Sequence, residues 1–384
     1  MTINRNLNGL VAGLTLACLA GTGTATAEQL RFATGSPQNT LGSKGMDAFI
    51  DAVETRSGGD LTVKGYAQSL LSFMETPSGL RDGMADLGHV LTPYFPADFP
   101  NTIMLTEMTM APELSSVEAK TAMFAYTGAV TEYIVNQCPD CIQEHLDRNQ
   151  VYLNLVSTSP YGLFCNGAVT ASEDINGSRI RVGGPVWSRW VESMGGSPVS
   201  IPVNETYEGL SQGVVDCTAH NLSDLLNFKF IEVVTDVTMG VPGGTFGGVG
   251  TNINADTWRS LSTDDRTTIL YGAARASAEV VMLYYEDHVE ALRQIEESSD
   301  ITLHEPDPEL VEATRTFIEE DLKTVAAHYQ ERYGIEDAEE RMASFRETLA
   351  EWVKKVEGVN TREELTDLYW AEVFSKIDVS TYSL

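Results

Sequence analysis

Ile175-Asn176-Gly177-Ser178-Arg179-Ile180-Arg181-Val182-Gly183-Gly184 opens the stretch of this chain that decides its fold. It continues through Met194-Gly195-Gly196-Ser197-Pro198-Val199, Pro202-Val203-Asn204-Glu205-Thr206-Tyr207-Glu208-Gly209-Leu210 and Gly213-Val214-Val215-Asp216. Arg179–Val182 reads as a strand, followed by a helix over about 186–194. Asn204 caps a short helix holding Tyr207 and Leu210, and 214–218 reads as another short strand. Strand, helix and strand in quick alternation indicate an α/β unit.

Upstream, Leu30, Phe32 and Thr34 alternate with Gln29, Arg31 and Ala33, a strand signal. Met46, Phe49, Ile50 and Val53 then mark an amphipathic helix that stops at Gly58-Gly59. A strand over 61–66 follows, then Ser72 with Glu75 as a capping box for a helix to Arg81, then a strand over 85–91. Ser115 with Glu118 opens a helix carrying Met123, Phe124, Tyr126, Val130 and Ile134, followed by strands over 151–156 and 161–166. Downstream, 246–254 is a glycine-rich strand in which Gly247, Gly248 and Gly250 point to close backbone approach. Residues 262–298 stay helical, interrupted only by Gly272. Such a helix spans roughly 55 Å, longer than one domain is wide, and suits a bridge between lobes. Three more helices follow Pro306. No linker rich in Pro, Gly or Ser divides the chain, so two domains crossed several times by the chain are expected.

The 384 residues carry 25 Lys and Arg against 55 Asp and Glu, a formal charge of -30. That surface repels phosphate backbones and anionic bilayers, so nucleic-acid partners are excluded, and any anionic ligand needs a local cation. Residues 1–27 read as a secretory signal peptide: Arg5, an apolar run from Leu10 to Leu19, and the small-residue site Ala25-Thr26-Ala27. That run is too short for a permanent membrane helix, and no later segment is long enough, so no membrane insertion is expected. A lipid anchor at Cys18 is disfavoured because Thr15 stands where a lipobox wants Leu.

Chemistry motifs are missing. There is no nucleophile elbow or phosphate loop, and Gly247-Gly248-Val249-Gly250 lacks the spacing of a dinucleotide fingerprint. The six histidines are scattered, so no metal and no cofactor is expected. Cys138-Pro139-Asp140-Cys141 has the spacing of a thioredoxin-type pair, but it follows a helical pattern rather than a strand, which favours a structural clip. Export permits a Cys138–Cys141 bridge, with Cys165 and Cys217 as the candidates for a second between strands.

The segments from Ile175 to Asp216, in this order and spacing, resemble the solute-binding subunits of tripartite ATP-independent periplasmic (TRAP) transporters. That family's pattern runs as a G-x-K-I-R strand, a G-x-x-P-v turn and a P-x-x-E-x-Y-x-A-L-x-x-G-v-v-D helix and strand. Gly58-Gly59 and Gly79–Gly88 extend the resemblance to the N-terminal half. It implies an α/β, two-lobed periplasmic binding protein with interlobe strands and a long bridging helix. Lobe one would be 28–158 with 246–290, and lobe two 159–245 with 291–384 and its C-terminal helices. It also implies that Arg181 grips the carboxylate of a small organic anion with two parallel donors, a geometry a lysine cannot supply. Arg179 is expected to face away and be structural. Membrane permease subunits would be the partners and the periplasm the location.

Two departures bear on the ligand. Many relatives carry a second cleft arginine in the strand matching 161–166, where this chain has Gly162 and no base nearby. The family's D-G-x-E-N reads here as Asp216-Cys217-Thr218-Ala219-His220-Asn221, which would pass the polar ligand contact to His220 or Asn221. A monoacid, an aromatic acid or a sulfonate is therefore as open as a dicarboxylate. Trp187 stands close enough to line the cleft, Tyr94 and Phe246 are further wall candidates, and His89 is a candidate polar contact from lobe one. The rival function is a secreted enzyme acting on a small organic acid through His220.

Overall fold

The computed structural model describes residues 1–2, 28–114, 117–298 and 300–384. The signal peptide, beyond its first two residues, and the Ser115 cap lie outside the described residues. The strands, in chain order, are β1 (Glu28–Thr34), β2 (Leu61–Ala67), β3 (Leu87–Leu91), β4 (Gln150–Val156), β5 (Tyr161–Cys165), β6 (Arg179–Val182), β7 (Ser197–Ser200), β8 (Cys217–Asn221), β9 (Asp236–Thr238), β10 (Val249–Asn254) and β11 (Thr302–His304). They form two sheets, ordered β2-β1-β3-β10-β4 and β11-β9-β5-β8-β6-β7. In the first, β1 runs parallel to β2 and β3, while β10 is antiparallel to β3 and β4. In the second, β6 runs parallel to β7 and β8, and β5 is antiparallel to β8 and β9.

Strands β3, β4, β5 and β8 are buried along their whole length, so none of them shows the alternation of a half-exposed strand. The helix Leu41–Ser57 ends at Gly58, whose φ of 66° is the left-handed cap that favours glycine. The long helix Thr263–Glu297 has 35 residues and is capped by the Ser262 hydroxyl, which accepts from the Asp265 N–H. Its front half, including Ile269, Ala273 and Val281, packs into the first apolar core, and Ala291 and Ile295 pack into the second. This helix ties the two lobes together.

Two expectations need correction. The strand read over 214–218 lies at β8, three residues later, because Gly213 (φ 66°) turns the chain and leaves Val214 exposed. The short strands β9 and β11, at one end of the second sheet, carried no legible pattern. The last two helices, Ala338–Lys355 and Arg362–Glu372, sit on lobe one instead of lobe two. Phe345, Trp352, Leu365 and Tyr369 belong to the first core, whereas Leu310 and Ile318 of helix Pro308–Tyr333 are buried in the second. Gly128 makes this seat possible, since a Cβ there would overlap the Trp352 ring.

Two disulfides are present, Cys138–Cys141 and Cys165–Cys217. The second joins directly opposed residues of β5 and β8. Cys138 follows helix Ala119–Gln137 and caps helix Pro139–Leu146, and both sulfurs of the first bridge are buried. A buried bridge is inert toward exchange, which requires access by an attacking thiolate. Titrating the unfolded, unreduced mature protein with a thiol reagent is therefore expected to find none of these four cysteines free. Finding all four free would remove both bridges.

Candidate functional site

Between the lobes lies a cavity of about 50 Å³, space for a few waters at ~10–15 Å³ each. Arg181, His220, Asn221, His89, Tyr94 and Phe246 all line it. Trp187 does not. It lies one layer back, its ring stacked on Tyr161 at 4.2 Å and its Nε1–H donating to the Gly243 carbonyl at 3.1 Å. Tyr161, at the start of β5, takes the wall position that Trp187 was expected to hold.

Arg181 enters from β6 and is 1% exposed. Its Nε donates to the Ile201 carbonyl and its Nη2 to the Tyr94 hydroxyl, each at 3.0 Å. Nη1 is buried without a partner, and no carboxylate forms an ion pair with Arg181 among the described residues. Two other arginines, the part-buried Arg189 and the buried Arg266, differ. Arg189 meets two carboxylates, and Arg266 donates to three backbone carbonyls. Arg179 does lie away from the cavity, but not by facing the other side of the strand. Residues two apart share a face, and position along β6 separates them: Arg179, at the exposed start, pairs with Asp216 at 2.7 Å.

His220, on β8, accepts the Asn221 backbone N–H at Nδ1 (3.0 Å). The proton of the neutral ring therefore belongs on Nε2, which is buried and unpartnered. Burial, with the Arg181 charge beside it, holds this imidazole well below its usual pKa. The 3.5 Å approach of Asp224 Oδ2 to Nδ1 is thus not an ion pair. Asp224 also lines the cavity. Its Oδ2 accepts from Asn221 Nδ2 at 2.7 Å, and burial pushes its pKa up to about 7 against the pull of Asn221 and Arg181. His89, on β3 of lobe one, contacts the Thr34 hydroxyl at 3.0 Å, and burial lowers its pKa to about 4. The lobes meet across the cavity through the Tyr94 hydroxyl, which also accepts the Val203 N–H, and through Asn227, whose Oδ1 accepts the Leu41 N–H at 3.2 Å.

The family model described as bacterial extracellular solute-binding protein, family 7, matches residues 32–329. The chain belongs to that family. Solved structures with the same fold include a TRAP periplasmic solute-binding protein from Bordetella bronchiseptica with bound (R)- and (S)-mandelate. It is 21% identical, with a TM-score of 0.69 over 84% of this chain and 99% of that one. The periplasmic ectoine-binding protein of a TRAP transporter from Halomonas elongata is 17% identical, with a TM-score of 0.70 over 84% and 100%. A TRAP solute-binding protein from a marine metagenome, from an unidentified microbe, holds 3-hydroxybenzoate. It is 19% identical, with a TM-score of 0.71 over 85% and 98%.

In this family 7 solute-binding protein a second polar cluster joins the lobes outside the cavity. Arg189, on the lobe-two helix Pro185–Ser193, donates to Glu107 of lobe one and to Asp321 of helix Pro308–Tyr333, both at 2.6 Å. The Tyr329 hydroxyl also donates to Glu107, at 2.9 Å. Burial pushes the Glu107 carboxyl up, and Arg189 and Tyr329 pull it back only in part.

Proposed function

We propose that this chain is the periplasmic receptor of a TRAP transporter, capturing a small organic acid as its anion between the lobes and passing it to membrane permease subunits. The carrying observation is Arg181, a buried cation that lines the interlobe cavity with one nitrogen unpaired and no carboxylate in an ion pair with it among the described residues. A buried charge left unpaired is costly, and a carboxylate entering the cavity supplies the missing partner with bidentate geometry. Ligand that bridges both lobes favours the closed arrangement by its differential contacts. The mandelate and 3-hydroxybenzoate held by two relatives of the same fold are small organic carboxylates. The family assignment and the signal-peptide pattern support the periplasm, and no helix among the described residues is long and apolar enough to cross a membrane.

The enzyme alternative rested on His220 as a base. Its Nδ1 already accepts a backbone N–H, and Nε2 carries the proton, so toward the cavity it is a donor. Receptor and enzyme separate in one experiment. Purified protein is screened by thermal shift against a panel of organic acids, and the responding acid is recovered and analysed. At about 100 times its dissociation constant a ligand adds ~2.7 kcal/mol, roughly 3–4 °C for a chain of this length. Stoichiometric binding with the acid recovered unchanged is expected, and catalytic conversion of it would overturn the receptor reading.

A further inference from the structure

Among the described residues that line the cavity, Arg181 is the only permanent cation and Asp224 the only acid, and both come from lobe two. His220 and His89 are uncharged donors or acceptors, for the reasons given above. Asp224 is buried, its Oδ2 is taken by Asn221, and Oδ1 has no hydrogen-bond partner among the described residues. Behind it Asp287, bound to Asn227 Nδ2 at 3.0 Å, adds further negative potential. The rest of the wall is largely apolar, with Phe73, Leu91, Val156, Phe228, Phe246 and Val249 drawn from both lobes.

We infer that Asp224 sets the charge of the ligand: the cavity takes a monocarboxylate whose body offers a hydroxyl or amine donor to Asp224, and it discriminates against dicarboxylates. The inference rests on the carboxylate reading of Arg181. A second ligand carboxylate would face either Asp224 or an uncharged wall, and like charges at short range in a desolvated site are strongly unfavourable. The N-terminus of helix Leu41–Ser57 also reaches the cavity, but its first N–H is occupied by Asn227. A helix end favours an anion by up to about 2 kcal/mol in a partly buried site, roughly 30-fold, against a cost of several kcal/mol for like charges placed together. A hydroxyl or ammonium group satisfies Oδ1 and gains a charge-assisted hydrogen bond.

The test uses matched acids that differ at one carbon. The sets are phenylacetate, mandelate, phenylglycine and phenylmalonate; benzoate, 3-hydroxybenzoate, 3-aminobenzoate and isophthalate; and butyrate, 4-hydroxybutyrate, 4-aminobutyrate and glutarate. Affinities are measured by calorimetry at pH 8, above the value of about 7 to which burial raises Asp224, on wild type, Asp224→Asn and Arg181→Ala. Within any set that binds, the hydroxy or amino acid is expected to bind about tenfold or more tighter than the unsubstituted acid. The dicarboxylate is expected to bind at least ~30-fold more weakly than the hydroxy or amino acid. In Asp224→Asn both differences should shrink to a few-fold. The wild-type ranking decides even if that variant folds poorly. A dicarboxylate that binds wild type as tightly as the best monocarboxylate overturns the inference. If that dicarboxylate also loses its binding in Arg181→Ala, the carboxylate reading survives alone. No binding by any acid in the panel at millimolar concentration overturns both.

Discussion

Arg181→Ala is expected to weaken binding of the best acid by roughly 30- to several-thousand-fold, about 2–5 kcal/mol, as for truncating one partner of a desolvated charge pair. The protein is strongly acidic, so its mean field works against an anion and leaves the attraction to this one guanidinium. The side chain is 1% exposed, where water screens little, and one nitrogen is unsatisfied by the protein. Arg181→Lys keeps the charge but loses the fork, so it should recover only part of the loss. Arg179→Ala is the control. Its pair with Asp216 is about half exposed on both sides, worth ~0–1 kcal/mol to stability, and affinity should stay within about threefold. Calorimetry on the three variants reads this directly. If Arg181→Ala binds within about threefold of wild type, the arginine is a structural residue.

Arg189→Ala is expected to destabilise the fold by about 3–5 kcal/mol, because it leaves two carboxylates in the interior without their cation. The Glu107 side chain is 1% exposed and that of Asp321 7%, so water cannot take over the role of the guanidinium. Only the Tyr329 hydroxyl would remain on Glu107. The deficit should depend on pH in a definite direction. A carboxyl whose folded-state pKa is raised costs stability above its unfolded value, fully so above its folded value, and the cost is relieved as protonation removes the charge. The gap between variant and wild type should therefore narrow as the pH falls from 8 towards 5. Equilibrium unfolding in denaturant across that range measures it. A loss below about 1 kcal/mol at pH 8 would show that the cluster is hydrated and contributes little.

Much of the site was legible because it rests on a long motif. The β6 strand with its flanking glycines and the Pro202 helix place Arg181 at the cavity, and His220 and Asn221 follow from the altered segment on β8. Asp224 was not legible. It is one of 55 acids, and what sets it apart is burial under elements distant in sequence, including the long helix, where Ser223 donates to the Tyr284 carbonyl. Trp187 was misplaced because spacing after a strand gives nearness but not layering, and Tyr161 stands between it and the cavity. The glycines before β10 do mark close approach: a Cβ at Gly247 would strike Tyr126 and one at Gly248 would strike Pro93. Both precede the strand, though, which begins only at Val249. The C-terminal helices show the same limit, since amphipathic spacing reveals that a face is buried but not which core receives it.

The most direct test of Arg181 as the carboxylate anchor is a thermodynamic cycle by calorimetry, combining wild type and Arg181→Ala with the best-binding acid and its primary amide. If the guanidinium grips the carboxylate, either change alone should cost most of the interaction and both together little more. The coupling energy would then be about 1.5 kcal/mol or larger. If the two losses simply add, with coupling near zero, Arg181 does not touch the carboxylate and the binding mode proposed for this protein is wrong.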